Sequence, residues 1–350
     1  MSGWTDEAVV GLVACGDLNL QDRDDPGTAF RLVKDYLPES DILFGNCEMC
    51  LEDPSSIIKH KPGWIQSDKR MVTGLVEAGF DVLSTANNVN FGTDPILSSI
   101  AVLDEHKIAH TGSGRNIQEA RRPAIVDRGG VKVGFLAYTA AFFPQGHAAA
   151  PDAPGVAGIK IHTAYEAHPR VHEMPGGPAT THSWPDFEEL ETIGEDIRRL
   201  RKNVDVLVVY FHMGFSGESE ITEYQRVLAH YVVDQGGDLV LGSSAHLPQA
   251  VEVYKDRAIF YGLGNFAFDW YRMATYRSGL LVRCSLAPEG ITRVVFKPVY
   301  RRNDELNQPE IVTCDGPDGS RIIDTVRELS TALKTDFVIV NDEVVVWEKN

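Results

Sequence analysis

His212 and His246 each follow a short apolar run, Val206 to Phe211 and Leu239 to Leu241, and each lies in a glycine-containing turn. Three upstream runs end the same way. Residues 9–14 lead to Asp17, Asp41 to Phe44 lead to Asn46 and Glu48, and Asp81 to Ser84 lead to Asn87 and Asn88. Runs of this length, bounded by Gly and Asp, suit strands covered on both faces. Carboxylate, amide and imidazole groups in this mixture can bind a divalent ion and activate water. Taken singly, Asp, Asn and Gly after a strand are ordinary turn and capping residues. Five such endings in order are read as one site, because catalytic groups collect at the carboxyl ends of such strands.

The ordered set GD, GN-x-E, NN, H-x-G, G-x-x-x-H and GLGNF resembles the CapA-type family, named for poly-γ-glutamate capsule synthesis, within the calcineurin-like metallophosphoesterase superfamily. The resemblance runs from about residue 8 to about residue 270 and includes the connecting segments Gly112 to Thr139 and Tyr261 to Asp269. It implies a four-layer α-β-β-α sandwich, an α/β fold with two sheets face to face and helices outside. It also implies that Asp17, Asn46, Glu48, Asn88, His212 and His246 line the active site.

The departures from the family pattern bear on the chemistry. Where members carry Asn-Asn-His, this chain has Asn88-Val89-Asn90. Where they carry Gly-His-His-Pro-His, it has Gly242-Ser243-Ser244-Ala245-His246, and the superfamily's Asp-x-His is here Asp17-x-Asn19. Imidazole is the usual nitrogen donor for transition ions. With several imidazoles gone, a two-metal centre is not expected. The expectation is one divalent ion (Mn, Mg or Zn) on Asp17, Glu48 and His246, or none.

Asp17, Glu48, His212 and His246 are the expected catalytic groups. Asn46, Asn88, Asn90, Glu218, Ser244, Asn265 and Phe142 are expected to contact or frame a substrate. Ser243 and Ser244 are read as small turn residues rather than nucleophiles, since no G-x-S-x-G turn is present. Cys15 and Cys47 are read as buried thiols, and Cys47-x-x-Cys50 as coincidence. The function expected is hydrolysis of a small organic substrate: an amide, lactone, lactam or phosphoester. The alternatives are a non-catalytic binding or assembly factor of capsule-type synthesis and a metal-dependent phosphoesterase.

Elements must hold these groups in place. Alternating strand-like and helix-like stretches over residues 8–139 predict repeated β-α units. Helical spacing covers Thr28 to Tyr36, Lys69 to Ala78 and Pro95 to His106, the last with Asp94 as its cap. Further helices are expected over 186–203, from Glu223 to Gln235 and from Ser320 to Lys334. Residues 277–300 read as a hairpin that can edge a sheet, turning at Pro288 to Gly290, and Phe337 to Trp347 as a second one turning at Asn341-Asp342. Between about 140 and 185 the pattern fails. This Pro-, Gly-, Ala- and His-rich stretch is expected to be a structureless lid over the site, with Phe142, Phe143, Tyr165 and Trp184 as apolar walls. Residues 1–308 are taken as one domain carrying that lid, and 309–350 as an extension packed on it.

The chain has 350 residues, 43% of them hydrophobic, and a formal charge of −17. That field disfavours nucleic acid and anionic membranes as partners. No stretch is long and apolar enough to span a bilayer, and Met1 to Glu7 is neither basic nor apolar, so a cytoplasmic protein is expected. Five irregularly spaced cysteines argue against a disulfide framework. A small-molecule substrate and a homo-oligomeric state complete the expectations.

Overall fold

The computed structural model describes residues 10–21, 23–37, 40–53, 66–302 and 307–349. Met1 to Glu7 lie outside the described residues. Among those described, no helix is long and apolar enough to cross a membrane.

Two sheets carry the molecule. The larger has ten strands among the described residues. Its main path runs Val338–Val340, Glu343–Glu348, Gly290–Arg301, Ser278–Ala287, Val10–Asn19, Ile42–Cys47, Val82–Ser84 and Ala109–Thr111. The short strand Asn265–Phe268 also pairs with Val10–Asn19, in parallel, setting Asp17 beside Asn265. The six-stranded sheet runs Val251–Tyr254, Arg257–Phe260, Leu239–Ser244, Val206–Met213, Val131–Thr139 and Ala124–Arg128.

Strand periodicity decides which side chains fill which layer. Leu12, Ala14 and Phe44 of the first sheet meet Phe135, Val208 and Tyr210 of the second in one apolar layer. There the Phe44 and Phe135 rings stack with centroids 5.3 Å apart. The alternate residues Val13, Cys15 and Leu43 face outward onto Val72, Leu75 and Leu103 of the helical layer. Leu136, Val209 and Phe211 likewise face Ile193 and Ile197 of helix Phe187–Arg201 and Leu228 of helix Glu223–Asp234. The order of layers is therefore α-β-β-α, the sandwich expected from the sequence. The C-terminal helix Pro317–Thr331 places Ile322, Ile323 and Val326 in the layer between the sheets.

Several local expectations change. The helix expected over residues 28–36 is a 3-10 helix, Pro26–Phe30, followed by turns. Gly92, at φ 97°, caps helix Thr93–Glu105, and Asp94 lies within its first turn. The hairpin of residues 277–300 lies inside the larger sheet, between the strands Val10–Asn19 and Glu343–Glu348, and Val338–Val340 forms the edge. Residues 140–185 hold regular structure: Gly155–Val156 pairs with Ser113–Gly114, and Ile161–Glu166 pairs with Thr180–Pro185. That hairpin is mostly exposed, so it lacks the apolar alternation that marks a half-buried strand. It is tied to the outer helix Glu223–Asp234, where His182 Nδ1 lies 3.1 Å from Glu223 and the Ser183 amide donates to the same carboxylate at 2.8 Å.

Candidate active site

Parallel pairing joins the carboxyl ends of the site strands two by two, one pair in each sheet, and the packing of the sheets sets the two pairs side by side. Val10–Asn19 pairs with Ile42–Cys47, setting Asp17 opposite Asn46, and Val206–Met213 pairs with Leu239–Ser244, setting His212 opposite Ser243. The close approach at Asp17 depends on its neighbour. A Cβ on Gly16 would lie 1.8 Å from the Gly264 carbonyl oxygen, the same oxygen that accepts the Asp17 amide at 3.1 Å. Asp17 is fully buried, as are Asn46, His212, Ser243 and Asn265; Glu48 and His246 are nearly so.

Asp17 is the hub. Its Oδ1 accepts from Asn46 Nδ2 at 2.7 Å and from the Ser243 hydroxyl, and lies 3.9 Å from His212 Nδ1. Its Oδ2 accepts the Ser244 amide at 3.4 Å and lies 3.8 Å from His246 Nδ1. His212 Nε2 donates to Asn88 Oδ1 at 2.8 Å. The lone pair on Nδ1 therefore faces inward, towards Asn46 Nδ2 and the Tyr210 hydroxyl, each at 3.3 Å. His246 is set the other way. Nδ1 donates to Asn265 Oδ1 at 2.8 Å, leaving Nε2 as an acceptor 4.0 Å from Glu48 Oε1. The Phe268 ring packs edge-on against His246 at 5.2 Å, and Tyr276 lies parallel to it at 6.3 Å.

The loop that delivers His246 adopts unfavourable backbone conformations. Ser244 has φ 104° and His246 φ 61°, the left-handed side that non-glycine residues avoid. Such strain persists where surrounding structure over-determines it, commonly at sites of function.

Burial, and then the Asp17 charge, hold the Cys15 thiol well above its ordinary range. Burial and the neighbouring Cys50 push Cys47 up to about 12. Neither thiol is a thiolate at neutral pH, and all five cysteines are buried and outside any disulfide. Burial and Asp17 also keep the Tyr210 phenol protonated.

The profile described as "Bacterial capsule synthesis protein PGA_cap" matches residues 11–270. The chain belongs to this family. Capsule biosynthesis protein CapA of Bacillus anthracis is 30% identical over 291 residues, covering 81% of this chain and 63% of the relative. PGA biosynthesis protein CapA of Bacillus subtilis is 26% identical over 280 residues, covering 77% and 64%. The chain thus spans less than two thirds of the length of these relatives. A phosphatase structure from Mycoplasma pneumoniae aligns at 12% identity with a TM-score of 0.46, covering 83% of this chain and 94% of that one.

Not every residue expected at the site of this PGA_cap chain is there. Asn90 is buried and turned away, donating to the Thr85 carbonyl at 3.0 Å. Its place beside Asn46 is taken by Asn87, whose amide reaches Asn46 Oδ1 at 3.3 Å and the Cys47 carbonyl at 2.8 Å. The Glu218 side chain is exposed, and it is its backbone carbonyl that accepts from Gln249 at 3.1 Å. Phe142 lies against Gly158, and its ring is 6.5 Å from that of the buried His147. His147 Nε2 in turn contacts the Asn90 carbonyl at 2.9 Å, which ties residues 142–147 to the loop after Asn88. Among the described residues, the Ser244 hydroxyl reaches only the Gly214 carbonyl, at 3.4 Å.

Residues able to hold a metal are present, and their imidazole differs from the expected one. Asp17, Glu48 and His212 each offer a ligand atom, all within 4.8 Å of one another. The sequence reading placed His246 in that role. His212 suits it better: its Nε2–H is anchored on Asn88, the usual support of a ligating histidine, and its Nδ1 lies 3.9 Å from Asp17 Oδ1. Two carboxylates and one imidazole fit a single oxygen-preferring divalent ion.

Tyr210 and the hydroxyl of Ser243 were missed as site groups. The signal for Tyr210 was available, since it stands two residues before His212 on one strand and so shares its face.

Proposed function

We propose that this protein is a hydrolase acting on a small organic substrate (an amide, lactone, lactam or phosphoester), and that it serves capsule-type polymer metabolism as the names of its relatives suggest. What carries the reading is the buried convergence of Asp17, Glu48 and His246, with the His246 Nε2 acceptor 4.0 Å from Glu48 Oε1. A water about 2.8 Å from each acceptor would subtend an angle of about 90°, close to its own bond angle. Such a water can lose a proton to His246 Nε2 while Glu48 orients it.

Asn265 fixes the required tautomer by accepting His246 Nδ1–H. Asp17, opposite, stabilises the imidazolium once formed, its Oδ2 lying 3.8 Å from Nδ1. A divalent ion held by Asp17, Glu48 and His212 would supply Lewis-acid polarisation of the scissile group. His212 itself, held between Asn88 and Asn46, positions rather than transfers.

The test is turnover of p-nitrophenyl acetate, p-nitrophenyl phosphate and γ-glutamyl-p-nitroanilide, with and without Mn2+. Asp17→Ala and His246→Ala are each expected to lower kcat/KM by at least about a hundredfold. Wild-type rates in both variants would remove the reading. Absence of turnover by the wild-type protein would leave the binding or assembly factor as the better account.

A further inference from the structure

Ser243 takes no part in the reaction above, and Tyr210 touches no group that moves a proton there. Yet both sit at the centre of the cluster and are fully buried. The Tyr210 hydroxyl contacts Ser243 Oγ, and Ser243 Oγ contacts Asp17 Oδ1. Hydrogen counting fixes the direction of this chain. A carboxylate oxygen offers only lone pairs, so Ser243 must donate to Asp17. The Tyr210 hydrogen then points at the free lone pair of Ser243. Held from behind in this way, Ser243 can rotate its hydrogen off Asp17 only if Tyr210 turns its own hydrogen to His212 Nδ1, 3.3 Å away.

A carboxylate oxygen has about two lone-pair directions. At Asp17 Oδ1 one is taken by Asn46 Nδ2 at 2.7 Å and the other by Ser243, with the Tyr210 hydroxyl behind them at 3.5 Å. A cation needs a bare lone pair, and a donated hydrogen in the same place excludes it. Asn46 is held in that sense too, since its Oδ1 accepts from Asn87 Nδ2 at 3.3 Å. Turning Ser243 away passes its hydrogen to Tyr210 and the Tyr210 hydrogen to His212 Nδ1, which closes the nitrogen a cation would need.

We propose that the Tyr210–Ser243 hydroxyl pair competes with a divalent cation for Asp17 Oδ1, holding the centre to one weakly bound ion at most. Tyr210 and Ser243 are then positioning residues for the carboxylate, and they neutralise the oxygen that a second ion would otherwise occupy. The inference rests on Asp17 as the centre of the site and not on which bond is hydrolysed.

The sign of one substitution separates this from the alternatives. Removing a competing donor should tighten cation binding, whereas removing a ligand or a purely structural support should weaken it. Mn2+ is titrated into the full chain, with free ion followed by electron paramagnetic resonance and bound ion by elemental analysis. Ser243→Ala is expected to bind Mn2+ about fivefold more tightly than wild type, the weight of one ordinary hydrogen bond. Tyr210→Phe should shift affinity the same way by less, and it provides a second arm should Ser243→Ala fail to fold. Adding Asp17→Ala to either should abolish the gain.

Weaker or unchanged affinity in both variants overturns the proposal. So does a wild-type chain that binds two equivalents, or failure of every variant to bind at millimolar Mn2+. These readouts need no turnover, so loss of the hydrolase reading would leave them intact.

Discussion

Asn265→Ala tests the link between the site's architecture and its chemistry. Asn265 Oδ1 is the acceptor for His246 Nδ1–H at 2.8 Å, while Asn265 Nδ2 is buried without a partner among the described residues. Truncation to alanine removes the first and leaves an imidazole N–H unsatisfied in a nearly closed environment, which costs about 1–3 kcal/mol. Loss of the unpartnered Nδ2 offsets part of this, so the lower half of that range is expected. For 350 residues the unfolding entropy is roughly 0.7 kcal/mol per kelvin, so Tm should fall by about 1–3 °C. Activity should fall further, by about 10–100-fold, because an untethered His246 samples the tautomer that cannot accept the water proton. Asn265→Asp retains the accepting oxygen and replaces the amide nitrogen with a second carboxylate oxygen. It should recover most of the rate. The assays are calorimetry and kcat/KM. An aspartate variant as inactive as the alanine variant, with both as stable as wild type, would refute the argument that Asn265 works through His246.

Other expectations follow from particular contacts. Phe44→Ala empties a site packed against Phe135 at 5.3 Å and Tyr210 at 5.7 Å, and should cost about 3–5 kcal/mol in urea unfolding. Ser244→Gly relieves a φ of 104° and sacrifices only a long 3.4 Å contact, so Tm should rise by about 1–2 °C while activity holds or falls. The hairpin of Ile161–Glu166 and Thr180–Pro185 should be most protected from hydrogen exchange in a middle pH window. His182 is raised by its hydrogen bonds to Glu166 and then Glu223, so its contribution is full below about 6.5 and is lost as pH rises through the folded value. Glu223 is lowered by the Ser183 amide and then His182, so its contribution is full above about 4.3 and is lost as pH falls through the folded value. His182→Gln should abolish the alkaline loss of protection, and a variant that keeps it would exclude this assignment.

The buried strands and the central residues were legible from local pattern, whereas the order of the layers came from the family resemblance. Apolar runs with a polar ending force buried strands, parallel pairing aligns those endings within each sheet, and packing of the two sheets brings Asp17, Asn46 and Glu48 against His212 and His246. The hairpin at 161–185 was not legible, because exposed strands need no apolar alternation and this one is held by side chains of a distant helix. The interior position of the 277–300 hairpin was hidden for a related reason: which strand covers an edge depends on partners far away in the chain.

At the site, sequence determined which chemical groups arrive and from which strand ends. Tertiary structure decided how they face. Asn88 and Asn265 turn the two imidazoles in opposite senses, His212 presenting Nδ1 and His246 presenting Nε2. Asn90, two residues from Asn88, points elsewhere, and Tyr210 closes the centre through Ser243. Spacing along a strand specifies a face, but the lone pair a side chain offers depends on its hydrogen-bond partner, and here each partner comes from a different part of the chain.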